Sequence, residues 1–194
     1  MSDRAEQKKQ FIVDRAREVF ARKGFRCVTM KDIVEACGIS RGGLYLYFES
    51  TEELFREVMR QDAENPDEDT DTGVTDQMTP AEIFAFFLKE QKKELLGRKD
   101  SLTVATYEYY FANKMPKKDN LMHTRYQSGL KAMEHLIRAC VDSGEFICED
   151  PKATALNIML AIEGLRIASQ TMAITESVVD REFVYLLQNL TAEE

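Results

Sequence analysis

Between Ser40 and Phe48 the chain reads SRGGLYLYF, placing two adjacent glycines beside a serine, an arginine and two tyrosines. Hydroxyl and guanidinium donors around a nearly bare stretch of backbone suit contact with phosphates and base edges. The glycine pair needs a reason outside helix stability, because each glycine in a helix costs roughly 0.8–1 kcal/mol relative to alanine. If Leu44 and Phe48, one turn apart, face inward, then Gly42, Gly43 and Leu46 face outward, flanked by Tyr45 and Tyr47. A helix entering the major groove must bring its backbone near the base edges while its flanks reach the phosphate walls. Glycine permits that approach, each tyrosine hydroxyl can bond a phosphate, and Leu46 can meet a thymine methyl.

The surrounding residues predict the elements that position this surface. Thr29 can cap a helix with apolar positions at Met30, Ile33, Val34 and Cys37. Gly38 stands where a left-handed stop belongs, Ile39 follows as an apolar anchor, and Ser40 can cap the next helix. Two short helices joined by a glycine-containing turn make a helix-turn-helix. A plain αα-hairpin with surface tyrosines explains the spacing alone; the glycine pair and flanking tyrosines favour nucleic acid. A preceding helix is expected from about Ala5 to Lys23, with Ile12, Ala16, Val19 and Phe20 inward and Gly24 ending it. Lys8, Lys9, Arg15, Arg17 and Arg22 on its other side are candidates for backbone contact with DNA. Ser50 with Glu53 forms a capping box for a fourth helix burying Leu54, Phe55, Val58 and Met59.

The run GFRCVTMKDIVEACGISRGGLYLYFESTEEL resembles the DNA-binding region of the tetracycline-repressor (TetR) family of transcriptional regulators. The resemblance rests on Gly24-Phe25, Thr29, Ile33, Gly38, Ser40, Gly42, Leu44, Tyr45, Tyr47, Phe48, Glu53 and Leu54, about the first quarter of the chain. It implies that Thr29, Lys31, Arg41, Gly43, Tyr45 and Tyr47 lie at the DNA; Gly42 joins them from the helix geometry, and Ser40, the cap of the same helix, is a further candidate. Lysines common in the family after the aromatic corner are replaced here by Glu49 and Thr51.

Charge is distributed to match. The 194 residues carry a formal net charge of −8, which argues against indiscriminate coating of nucleic acid. Residues 1–50 hold ten Lys/Arg against seven Asp/Glu, whereas residues 51–194 hold 16 against 27. A mildly basic head on an acidic body fits a module presenting one face to DNA, though solvated helix faces could produce the same asymmetry. The charged N-terminal MSDRAEQKKQF is no signal peptide and no run suits a membrane span, so a cytoplasmic location is expected. Cys27, Cys37, Cys140 and Cys148 lack metal spacing, and only His123 and His135 could assist. Neither a metal nor a cofactor is expected. Cys140 and Cys148 could form a redox pair, with inert thiols the alternative.

The remainder predicts an all-α fold of about nine helices: a DNA-binding domain over residues 1–50 and a larger effector-binding and dimerisation domain over 51–194. Residues 62–76 contain seven acids and no base; their Asp67, Asp69, Asp71 alternation departs from a calcium loop, so a solvated linker is expected. Thr79-Pro80 with Glu82 opens a helix carrying Ile83, Phe84, Phe87, Leu88 and Leu95. Further helices are expected over about Ser101–Lys114 and Asp119–Ser143. A helix from Asp150 to about Ala173 is apolar on nearly every side and so requires burial on two faces. The last helix lies near Val179–Leu190. Leu160, Gly164, Ile167, Phe183 and Leu187 are the candidate dimer contacts, with a centrally buried monomer helix as the alternative; the resemblance implies a homodimer built as a four-helix bundle. It also implies a small-molecule cavity among the middle helices, where Phe84, Phe87, Tyr107, Tyr110, Phe111, Tyr126, Met133 and Met159 cluster near Gln91, Glu108, Asn157, Glu163 and Arg166. Ordinary core packing explains the same stripe. Most such regulators repress, releasing an operator when ligand binds. An enzyme is disfavoured, since no catalytic motif appears. A helical adaptor would explain the apolar C-terminus but not the glycine pair.

Overall fold

The computed structural model describes residues 3–64, 75, 77–97, 101–188 and 190. Among them are nine α-helices and no strand: α1 (Asp3–Lys23), α2 (Met30–Cys37), α3 (Arg41–Tyr45), α4 (Thr51–Glu64), α5 (Pro80–Gly97), α6 (Thr103–Ala112), α7 (Leu121–Asp142), α8 (Pro151–Thr171) and α9 (Glu176–Gln188). A single 3-10 turn occupies Lys117–Asp119. The acidic stretch with Asp67, Asp69 and Asp71 lies outside the described residues. No described helix is long and apolar enough to cross a membrane.

The helices form two compact units. The first holds α1–α4 and α6; the second holds α5, the 3-10 turn and α7–α9. The sequence therefore enters the first unit twice, with α5 of the second unit in between.

In the first unit α1 is central, burying Ile12, Val13, Ala16, Val19 and Phe20. Leu54, Phe55, Val58 and Met59 of α4 are buried as the spacing predicted, each such side chain contributing about 1.5–3 kcal/mol of transfer free energy. Polar pairs join the same two helices: Lys9 Nζ reaches Glu57 Oε1 at 3.1 Å and Arg17 donates to Asp62 at 3.0 Å. These two bases, among the five candidates for contact with the DNA backbone, are paired with α4. Phe20, Phe25, Phe55 and Tyr109 form an aromatic cluster, with Phe20–Phe55 centroids at 4.7 Å and Phe25 meeting Tyr109 edge-on at 5.0 Å. The capping of α4 is shifted by one residue: Glu53 N–H donates to Ser50 Oγ, while the Glu53 carboxylate accepts from Glu49 N–H at 2.7 Å.

The second unit packs α5, α7, α8 and α9 around Phe84, Leu88, Met133, Ile137, Cys140, Ile158, Ile162, Val179 and Phe183. Thr79 and Glu82 make a complete reciprocal cap for α5. Lys92 joins α5 to α9 through Glu176 at 2.8 Å and Asp180 at 2.6 Å. All four cysteines are free thiols. Burial pushes the Cys140 thiol up to about 11, away from the reactive thiolate.

Candidate nucleic-acid interface

Helix α2 begins at a full capping box. Asp32 N–H donates to Thr29 Oγ1, and the Asp32 carboxylate accepts from both Thr29 N–H at 2.8 Å and the Thr29 hydroxyl at 2.6 Å. Lys23, at the end of α1, binds the same carboxylate at 2.5 Å. That ammonium, then the Thr29 hydroxyl and N–H, hold the Asp32 carboxyl well below the usual carboxylate range. The Thr29 hydroxyl is thus committed to the helix start. The Thr-x-x-Asp spacing signals this box; the Lys23 partner has no local signal.

The turn follows the expected chemistry. Gly38 adopts φ +62°, and its N–H and that of Ile39 bond back to carbonyls of α2. Ser40 then caps α3, its Oγ accepting from Gly43 N–H at 3.1 Å. Accepting leaves the Ser40 hydroxyl proton available to an outside acceptor. Helix α3 is only five residues long, and the chain continues as a turn through Leu46 and Tyr47.

Leu44 and Phe48 are buried, as the inward pair should be. Leu46 is 82% exposed, Tyr45 is exposed and Tyr47 half-buried. The Arg41 guanidinium lies over the Tyr45 ring, 5.4 Å from its centroid. Lys31 projects from α2 with 84% of its side chain exposed and only Glu35, at 3.7 Å, near its ammonium.

The glycines separate in their roles. A Cβ on Gly43 would sit 3.2 Å from Ser40 Oγ, so this glycine serves the tight cap. A Cβ on Gly42 would meet nothing within 4 Å. Among the described residues, nothing packs against position 42 in a way that calls for glycine there.

Helix α6 braces the corner between α1 and α2, a role with no sequence signal across so many intervening residues. The Glu108 carboxylate accepts from Arg26 N–H at 2.9 Å, beside the α1–α2 corner. Gly24 in that corner has φ +75°, and a Cβ there would fall 2.6 Å from Glu108 Oε2.

The other candidates divide between the units. Tyr107, Tyr110 and Phe111 lie on α6, with Tyr107 stacked on Phe111 at 6.1 Å. Phe84 and Met133 are packed in the core of the second unit, and Phe87 and Met159 are partly buried against it. Tyr126 is partly buried, and its hydroxyl, like Arg166 Nε, is a buried polar atom without a hydrogen-bond partner among the described residues. Arg166 otherwise binds Glu163 at 2.7 Å and Gln91 at 2.9 Å.

On α8, Ala155, Ile158, Ile162 and Leu165 face the core, while Leu160 at 56% and Ile167 at 41% are exposed. Gly164 has open space beyond it. Phe183 is buried in the core of its own unit and Leu187 packs partly against it, while the exposed apolar side chains of α9 are Val178, Val184 and Tyr185.

Residues 12–58 match the model for bacterial regulatory proteins of the tetR family, and residues 83–180 match that for the tetracyclin repressor-like C-terminal domain. An uncharacterized HTH-type transcriptional regulator, YfiR of Bacillus subtilis, is 35% identical over 150 residues, covering 77% of this chain and 73% of that protein. A putative transcriptional regulator from Saccharomonospora viridis, crystallised with choline, superposes with a TM-score of 0.83 at 17% identity, over 97% of this chain and all of that one. AibR, crystallised with isovaleryl coenzyme A and operator DNA, superposes at 0.68 with 16% identity, over 94% of this chain and 99% of that one.

Proposed function

Because this chain belongs to the tetR family of bacterial regulatory proteins, a family of DNA-binding transcriptional regulators, we propose that it is a repressor that binds a near-palindromic operator as a homodimer and is released or retuned by a small molecule. The observation that carries the DNA reading is Gly42, an exposed helical glycine whose absent side chain leaves open space. A side chain there would stand between the α3 backbone and the floor of a major groove. Lys31, Ser40, Arg41, Tyr45 and Tyr47 surround it with donors for the phosphate walls, and Leu46 supplies an apolar tip for a thymine methyl. Thr29, Gly43 and Asp32 serve the same surface by holding the ends of α2 and α3.

A five-residue reading helix contacts few bases, so useful specificity calls for two copies spaced about 34–36 Å apart. The exposed apolar stripe Leu160, Gly164 and Ile167 of α8, with Val184 and Tyr185 of α9, supports a two-fold helical interface. In this reading the effector site lies in the second unit, near Phe87, Tyr126 and Met159. The unpartnered Tyr126 hydroxyl and Arg166 Nε are the polar groups available to orient a ligand. The choline and isovaleryl coenzyme A complexes of similarly folded proteins support the idea of a ligand there. The ligand acts by population shift, favouring a spacing of the two heads that fits the operator poorly.

Selection of bound fragments from genomic DNA, followed by affinity measurement against salt, tests this function. A repressor gives one strongly preferred site and a steep negative log–log salt slope; uniform weak binding at every sequence overturns the reading.

A further inference from the structure

The surface of the second unit carries a shallow, open cleft of about 350 Å³ lined by Lys117, Lys118, His123, Thr124, Gln127, Ser128 and Lys131, all exposed but the half-buried His123. We propose that this cleft, between the 3-10 turn and the first half of α7, binds a small phosphorylated molecule through a diphosphate or similarly charged group. The proposal does not depend on the DNA-binding reading.

Three observations carry it. The first is charge placement. Residues 116–131 hold four Lys/Arg and one acid, whereas residues 132–194 hold four against 11. The cleft is thus a cationic island in an acidic body, and no carboxylate lines it. The second is pairing. Elsewhere in this unit Lys92 binds Glu176 and Asp180, Arg138 binds Glu134, and Arg166 binds Glu163. Lys117, Lys118 and Lys131 have no ion-pair partner among the described residues, although three like charges around one cleft repel one another. A bound anion removes that repulsion.

The third is the chemistry of the lining. Thr124, Gln127, Ser128 and Lys131 follow i, i+3, i+4, i+7 spacing and share one face of α7, with Lys117 and Lys118 contributed by the 3-10 turn. Ammonium groups serve phosphate as point charges. The Ser128 hydroxyl and the Gln127 amide supply directed donors to the remaining oxygens, while the Thr124 hydroxyl donates to the Asn120 carbonyl at 3.2 Å. The lining mixes polar groups with the carbon of the lysine stems, the Thr124 methyl and the His123 ring, so a charged head with a small remainder can be accommodated. The volume, at the small end of the range for ligand pockets, suits a diphosphate with a sugar-sized remainder.

The test is titration of the full chain with inorganic pyrophosphate, at ionic strength held constant with sodium chloride, read by calorimetry and by thermal unfolding. The expected result is saturable binding that raises the unfolding temperature. Lys118→Gln with Lys131→Gln should weaken it at least about tenfold, without lowering the unfolding temperature of the pyrophosphate-free protein. A parallel titration with a non-specific DNA duplex separates the two sources of phosphate: the double variant should bind it as the parent does. No saturable binding up to about 10 mM pyrophosphate, or equal affinity in parent and variant, overturns the proposal. So does loss of DNA affinity in a variant whose parent ignores pyrophosphate.

Discussion

Arg56 Nε of α4 donates to the Tyr109 hydroxyl of α6 at 2.9 Å, joining residues 53 positions apart within the first unit. Tyr109 is 1% exposed, and its ring closes the cluster of Phe25 and Phe55. Its hydroxyl is partnered, as a buried tyrosine requires. With Glu108 on Arg26 N–H, this makes α6 a structural member of the first unit, although α5 separates it from α4 in sequence.

Tyr109→Phe keeps the ring and removes the acceptor for Arg56. The loss should be about 1 kcal/mol, read from the urea midpoint. Tyr109→Ala also empties the cluster and should cost about 3–5 kcal/mol.

Gly24→Ala meets two obstacles, the positive φ and the Glu108 carboxylate. The carboxylate can swing aside only by releasing Arg26 N–H, so the substitution should cost about 1–3 kcal/mol. In a double-mutant cycle with Glu108→Ala the losses should be less than additive, since part of the penalty is the shared contact.

Acid should weaken the first unit through Asp32 and Glu57. The Arg60 guanidinium, then Lys9, hold the Glu57 carboxyl at about 2, against an ordinary value of 4.5. Both carboxylates bind protons more weakly folded than unfolded, so their stabilisation is complete above the unfolded values and disappears as pH falls through the folded ones. The urea midpoint should therefore decline from about pH 4.5 towards about pH 2. Glu57→Gln should flatten that decline.

Leu160→Glu places a charge in the exposed stripe of α8, 56% open in one chain. Sedimentation should show a dimer for the parent and a monomer for the variant, with operator affinity falling in parallel.

How much of this was legible follows from the range of each interaction. The caps at Thr29, Ser40 and Thr79 and the stop at Gly38 depend on residues within four positions, and the sequence displays them directly. The inward set Ile12, Leu44, Phe48 and Phe55 follows from periodicity alone. Arg56–Tyr109, Glu108–Arg26 and the pairing of Lys9 and Arg17 with α4 join residues 45 to 82 positions apart, beyond any local pattern. The burial of Phe183 beside an exposed Val184 was not legible, because a helix apolar on adjacent positions does not say which of them meets its own core. Gly42 and Gly43 look identical as letters; only the position of the Ser40 hydroxyl tells them apart.

Lys31→Ala removes an ammonium that is 84% exposed at the proposed phosphate wall. It should weaken binding to all DNA sequences alike and reduce the salt slope by about one; an unchanged slope would take Lys31 off the DNA surface.

The most direct test of the central claim is Gly42→Ala, measured for stability and for operator affinity on the same preparation. The added methyl meets nothing within the protein, so folding should be unchanged or favoured by up to about 1 kcal/mol. Operator affinity, by fluorescence anisotropy, should nonetheless fall at least about tenfold, since the methyl stands where the base edges must come. Undiminished affinity in a folded, dimeric Gly42→Ala protein would contradict the account.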